Sequence, residues 1–420
     1  MSGDLNLRSK EYWNKMGWGL LLGLLSAIGA FVFIILMNFG QSLVLPGLIN
    51  WKPFSGPWWI VVVMTVAGFL VGVIHRLSSA KQMNAFDALK EGYMDPKPVP
   101  SSLVVSLISI ITGFSLGPEV PTGMLAAGLG TWISKKRKMD SEKMRIDVLS
   151  SISGAYAGLF SSPIVALLML LESEHRQSVA YYGTLLIVGL AATVGFALFY
   201  VLYGMSVSPL LGLLSPPAYD LRIWDLGIGV ILGALAVPVA LFFMILTKTL
   251  SRIVAPLNST PILRGTLGGL FLGLFAFILP ITIGLGTTQM PIVTQQAAEI
   301  GVILLIIFAL AKMIALSGAL NFGFIGGPIF PLLFIGTTLG SAIHLIFPTI
   351  PLGLALGCMI VAVPAAIVPV PLAMAAIGIV IIGVPFIDAL PVFLAALVAF
   401  SITHGLGLGD KNKKKTMKDV

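Results

Sequence analysis

A chain of 420 residues that is 57% hydrophobic and only 10% charged, with a mean hydropathy of +1.02, carries far less charge than the roughly 25% found in soluble globular chains. That excludes an ordinary soluble domain and predicts an all-α polytopic membrane protein. The formal charge of +8 does not call for nucleic acid, because the basic residues are confined to short polar segments beside apolar runs.

In chain order, residues 1–16 are polar, and the apolar run behind them is too long for the core of a cleavable signal. Runs long enough to cross a bilayer follow, among them 18–38, 56–74, 181–202, 226–247 and 299–311. Basic clusters flank them: Arg8, Lys10 and Lys15; then Lys135, Lys136, Arg137, Lys138, Lys143 and Arg145; then Lys411, Lys413, Lys414, Lys415 and Lys418. Such segments stay on the cytoplasmic side, next to anionic lipid. Both termini and the 135–146 loop are therefore expected inside the cell, with the chain in the inner (plasma) membrane. A Lys-rich tail at 405–420 is expected to be cytoplasmic, with no soluble regulatory domain after it. The lone cysteine, Cys358, sits in an apolar run and reads as a buried free thiol.

The stretch "GFSLGPEVPTG" (113–123) places a carboxylate, Glu119, among glycines and prolines in an apolar region. It is echoed 210 residues later, where Gly327-Pro328-Ile329-Phe330-Pro331 matches Gly117-Pro118-Glu119-Val120-Pro121. Gly113 pairs with Gly323, Leu129 with Leu339 and Gly130 with Gly340 at the same offset, and Pro163 with Pro371 at 208. Two proline-centred motifs in one order indicate duplication. A cytoplasmic segment 1–16 would precede a first transmembrane repeat, 17–204. A Pro-rich linker, 205–224, would lead to a second repeat, 225–404. Gly/Pro-interrupted apolar segments at matching positions point to a transporter's binding site. Gly117 and Gly327 would let backbone approach a ligand closely. Pro118 and Pro328 suit a first helical position. Two helix N-termini converging at membrane depth would attract an anion.

These motifs resemble the CLC family of chloride channels and chloride/proton antiporters, as a bacterial-type member. "SLGPEVP" (115–121) is similar to the family's gating-glutamate segment, "SGALNFGFIGGPIFP" (317–331) to its G-x-F-x-P segment, and "SGAYAGLFSSPIVALLMLLESE" (153–174) to the helix pair that follows in the first half. The resemblance implies two inverted-topology repeats of broken, tilted helices and a homodimer with one pore per subunit. It puts Glu119 in the place of the gating and proton-accepting carboxylate. Anion binding would fall to Gly117, Val120, Gly327, Ile329 and Phe330, although Pro328 lacks an N–H where the family has a donor.

Other family positions are less faithful. The chloride-binding serine falls on Ala80, with Ser79 before it and Lys81 after it. Lys81 either supplies a positive charge to the pathway or is a solvated lysine at a helix start. The family's late tyrosine has no match. The inner proton-handling acid falls on Ser173, and an offset of one residue would put it on Glu172 or Glu174. Lys312, inside an apolar run, is either a structural cation near a helix end or a contributor to the pathway's potential. His75, His175, His344 and His404 show no metal-ligand spacing, and no cofactor is expected. No phosphate-binding loop is present, which argues against ATP-driven transport. No hydrolytic set is present either, which argues against an enzyme, and an intramembrane protease is kept only as the other class.

The expected function is passage of chloride or another small anion, gated by Glu119. Passive or loosely coupled conduction is favoured because the inner acid, serine and tyrosine look absent. Stoichiometric chloride/proton exchange is the alternative, followed by a fluoride exchanger and an unrelated, for instance sodium-coupled, inverted-repeat carrier.

Overall fold

The computed structural model describes residues 9–46, 54–173, 179–206, 209–211, 213–217, 219–385 and 387–407. Among them the regular structure is helical, apart from one isolated backbone bridge between Gly117 and Gly327. The first helix, α1 (Lys10–Val44), is capped by Ser9, whose hydroxyl accepts from the Tyr12 N–H at 3.1 Å. At about 1.5 Å per residue it is longer than a bilayer core is thick. Next come α2 (Trp59–Leu77), α3 (Ala85–Glu91), α4 (Val99–Ile111) and α5 (Glu119–Lys136). The first part of the chain closes with α6 (Ser141–Leu159), α7 (Pro163–Ser173) and α8 (Val179–Leu202).

The second part begins with α9 (Ile223–Val254), α10 (Pro261–Ile278), α11 (Met290–Gln295) and α12 (Ala297–Phe322), the last broken at Gly301. It ends with α13 (Ile329–Ile346), α14 (Leu352–Ala365), α15 (Pro371–Ile382) and α16 (Leu390–Gly405). Proline opens α7, α10 and α15, where its missing N–H costs nothing. Among the described residues, seven helices are long and apolar enough to cross a membrane, in α1, α2, α8, α9, α10, α12 and α13. The apolar runs read from the sequence fall in these helices, except that residues 56–58 precede α2.

The chain forms two compact units that do not follow its halves. One comprises 1–211, 254–285 and 318–328; the other comprises 212–253, 286–317 and 329–420. In the first, α2 and α10 meet through glycines, and a Cβ on Gly68 would overlap the Gly265 carbonyl and the reverse. Likewise a Cβ on Gly154 of α6 would overlap Gly23 of α1, and one on Gly195 of α8 would overlap Gly154. Small residues are how apolar helices approach closely where burial from water supplies no drive. In the second unit, α14 is buried from Gly353 to Ala365, with α13, α15 and α16 packed on it.

Local packing repeats with the sequence echo. A Cβ on Gly130 would press on Val148 Cα and Asp147 O of α6, at 3.0 and 3.2 Å. One on Gly340 would press on Leu356 Cα and Ala355 O of α14, at 2.9 and 2.8 Å. Residues 147–148 and 355–356 are 208 apart, the offset of Pro163 and Pro371. The helix pairs α5/α6 and α13/α14 thus repeat one packing detail.

Candidate functional site around Glu119

Two helix ends, one in each sequence repeat, stop in the same way. After α4, Gly113 takes φ +92° and the Phe114 N–H reaches back to Ser109 O at 3.2 Å. After α12, Gly323 takes φ +97° and the Phe324 N–H reaches back to Ala319 O at 3.2 Å. Both are glycine-terminated helix caps in which a left-handed residue turns the chain out of the helix. The two released segments then pair. Phe114 stacks on Phe324 with ring centroids 3.7 Å apart. The Gly117 N–H donates to Gly327 O at 2.7 Å, and the Gly327 N–H donates to Gly117 O at 2.8 Å.

This pairing delivers Glu119. Pro118 already has near-helical angles (φ −80°, ψ −4°), so α5 starts on the next residue. The Thr122 hydroxyl donates to Pro118 O at 2.7 Å and fastens the first turn. Glu119 is therefore a first-turn acid at the positive end of α5, and it is only 2% exposed. Its carboxylate lies against the Cα of Gly327, where any Cβ would collide with it. From α6, the buried Tyr156 hydroxyl donates to Glu119 O at 3.0 Å. The same hydroxyl stands where a Cβ on Gly123 would be.

Of the residues the sequence nominated, Glu119, Gly117 and Gly327 come together here, with Val120 buried beside them. The glycines differ from expectation in one respect: their N–H groups serve each other, so what they admit closely is a backbone and a carboxylate of this chain. Ile329 and Phe330 are fully buried in the first turn of α13 in the other unit. Lys312 also belongs to that unit. It lies well inside α12, not near its end, with no exposed surface and its ammonium 5.3 Å from the Phe334 ring centroid. Cys358 is a buried free thiol.

Lys81 has an exposed side chain in the segment before α3. The Ser102 hydroxyl accepts from its N–H and donates to its carbonyl, both at 3.0 Å. On α7, Glu172 is half-buried and Ser173 buried. Glu174, His175 and the tail lysines lie outside the described residues.

Three contributors were not nominated. Tyr156 stands alone as a phenol in a helix of small residues, a signal available in "SGAYAG". Gln82 brackets Gly326: its Nε2 donates to Gly326 O at 2.8 Å, and the Gly326 N–H donates to its Oε1 at 3.3 Å. His75, in the last turn of α2, holds Gly323 O at 2.8 Å. Nothing local in the sequence announces either of these long-range ties.

The architecture is that of a CLC-type membrane transporter. The solved structure of a slow cyanobacterial Cl−/H+ antiporter superposes with a TM-score of 0.81 at 18% identity, covering 94% of this chain and 95% of that one. A CLC-type fluoride/proton antiporter superposes at 0.70 with 21% identity, covering 93% and 94%. Among curated proteins, the "Putative ion-transport protein YfeO" of Escherichia coli O7:K1 is 26% identical over 352 residues, 81% of this chain and 82% of that one. That of Shigella boydii serotype 4 is 27% identical over the same shares. The model of the voltage gated chloride channel family matches residues 78–404, and the chain belongs to that family.

Proposed function

We propose that this protein passes small anions, chloride foremost, across the membrane, with the Glu119 carboxylate as its gate. The observation that carries the reading is the position of Glu119: an acid buried in the first turn of a broken helix, seated against Gly327. A helix start attracts negative charge, and a buried carboxylate there stands in for the anion that would otherwise occupy it. An intramembrane acid is costly unless it has a function. Val120 on α5 offers a first-turn N–H to the passing anion, and Ile329 and Phe330 in the first turn of α13 are anion-binding candidates by the family resemblance alone. Gly117 and Gly327 contribute closeness of approach.

Conduction that is passive or loosely coupled to protons fits the residues best. Ser173 takes the position expected of a second, buried acid, and Glu172 beside it is half-exposed. Stoichiometric anion/proton exchange is the second reading, favoured by the chloride/proton and fluoride/proton antiporters that share the fold. Lys81 and Lys312 are assigned to the positive potential of the pathway. The protein works as a homodimer of duplicated chains (17–204 and 225–404), with both termini cytoplasmic.

The test is purified protein in liposomes under a chloride gradient, with chloride and proton movement recorded together. Chloride flux that changes in the Glu119→Gln variant is expected. Absence of flux in the parent protein, with no change in the variant, overturns the reading. Protons driven uphill by chloride would replace conduction with exchange.

A further inference from the structure

The two glycine caps are alike except for what holds their carbonyls. Gly113 O accepts from the Gly284 N–H at 2.8 Å, an amide that stays protonated at any physiological pH. Gly323 O, its counterpart at offset 210, faces the Nε2 of His75 at 2.8 Å. Position 284 less that same offset is 74, so His75 stands within one residue of the place that Gly284 holds for the first cap. The other ring nitrogen, Nδ1, lies 3.0 Å from Ala80 O. A carbonyl oxygen only accepts. A neutral imidazole has one N–H and one lone pair, whereas the imidazolium has two N–H groups. Both contacts are therefore hydrogen bonds only when the ring carries its second proton.

We infer that His75 is a proton-binding site that clamps the 323–328 segment to the 78–84 segment and so makes anion passage pH-dependent. The clamped carbonyl starts the stretch whose Gly327 pairs with Gly117 and supports Glu119. Loss of the proton turns a ring lone pair toward Gly323 O or Ala80 O and loosens that support. The charged groups around the ring are cations. Arg264 of α10 donates from Nε to Asn321 O at 3.0 Å, and its guanidinium lies 3.5 Å from where a Cβ on Gly323 would be. Arg76 follows on α2, and Lys81 follows Ala80. α4, which packs on α2, and residues 318–328 contain no titratable side chain. No acid competes for the proton there. His75 is half-buried.

The inference rests on the transport reading, and the experiment separates the two. Chloride flux is measured in liposomes with Glu119→Gln, which removes the titratable gate. A fall of about threefold or more is expected between about pH 6 and about pH 8, where an imidazole changes charge. Adding His75→Gln should flatten the profile, and adding His75→Lys should hold it near the acid-side rate. An unaltered profile in Glu119→Gln/His75→Gln overturns the inference. If neither the parent protein nor Glu119→Gln carries chloride, the transport reading fails instead. The ring is then decided by 15N spectra of histidine-labelled protein, the His75 signal being identified by its loss in His75→Gln. Two protonated nitrogens on the acid side support the inference, and a single one throughout overturns it.

Discussion

Gly117 and Gly327 hold each other's backbones through a reciprocal pair of hydrogen bonds, 2.7 and 2.8 Å long. They are the same residue of the two sequence echoes, so the pairing joins the repeats at equivalent points. Phe114 and Phe324, also 210 apart, stack beside them. An exchange in which each partner gives what it receives is what a local twofold relation produces. The echoes differ at the next positions, where one carries Glu119 and the other Ile329. A symmetric frame thus presents a single acid.

Gly327→Ala tests that frame. The added Cβ collides with the Glu119 carboxylate, so the side chain must leave its seat. Overpacking of this kind costs about 1–3 kcal/mol. The variant should melt lower than the parent, and its chloride flux should resemble that of Glu119→Gln. Parent-like flux and gating would mean that the seat against Gly327 has no part in control.

Tyr156→Phe removes the hydroxyl that donates to Glu119 O at 3.0 Å and leaves the ring in place. Glu119 O keeps the Thr122 hydroxyl as a donor at 3.2 Å, so the loss is that of one hydrogen bond, about 1 kcal/mol. Thermal unfolding in detergent should report that loss. The first turn of α5 is also freed, so gating should change while anion selectivity is kept. A variant that loses stability alone would confine Tyr156 to packing.

The membrane class, the helical architecture and the Glu119 segment were legible because each is local. Apolar runs are fixed by bilayer thickness, and a helix start surrounded by Gly and Pro announces itself in a few residues. The duplication was legible because it repeats spacing, and Gly130 and Gly340 show the same packing from both copies. What joins distant segments was not legible. His75 and Gly323 are 248 residues apart, and Gln82 and Gly326 are 244 apart. Each tie is made by an ordinary polar side chain to a backbone atom, which leaves no mark on the partner's identity. Lys312 was misplaced for a related reason: hydropathy alone sets no helix boundary, and α12 runs on to Phe322.

Asp140 is the cap of α6, its Oδ1 accepting from the Lys143 N–H at 2.8 Å. That hydrogen bond, with the Lys143 charge, holds its carboxyl below the ordinary value. A depressed carboxyl stabilises the fold above its unfolded value, and that contribution is lost as pH falls through the folded one. Asp140→Asn should cap equally well at neutral pH and lose this part of the acid sensitivity. Asp140→Ala should lower the melting temperature at all pH values above that range. Equal melting of all three proteins at neutral pH would show that α6 needs no cap there.

Lys312 is the sharper test of electrostatics in the second unit. The Lys312 ammonium has no exposed surface, and its place over the Phe334 ring is worth about 2 kcal/mol when desolvated. Burying such a charge is weak evidence for stability, because apolar residues of similar volume often do as well or better. Lys312→Met should therefore assemble normally and melt no lower than the parent. If the charge is retained for the anion, the same variant should carry chloride several-fold more slowly, and raising the chloride concentration should restore part of the rate. Met in place of Lys with full flux would remove Lys312 from the pathway and leave the Phe334 contact as its role. A marked loss of stability would instead make the ammonium a structural element of α12.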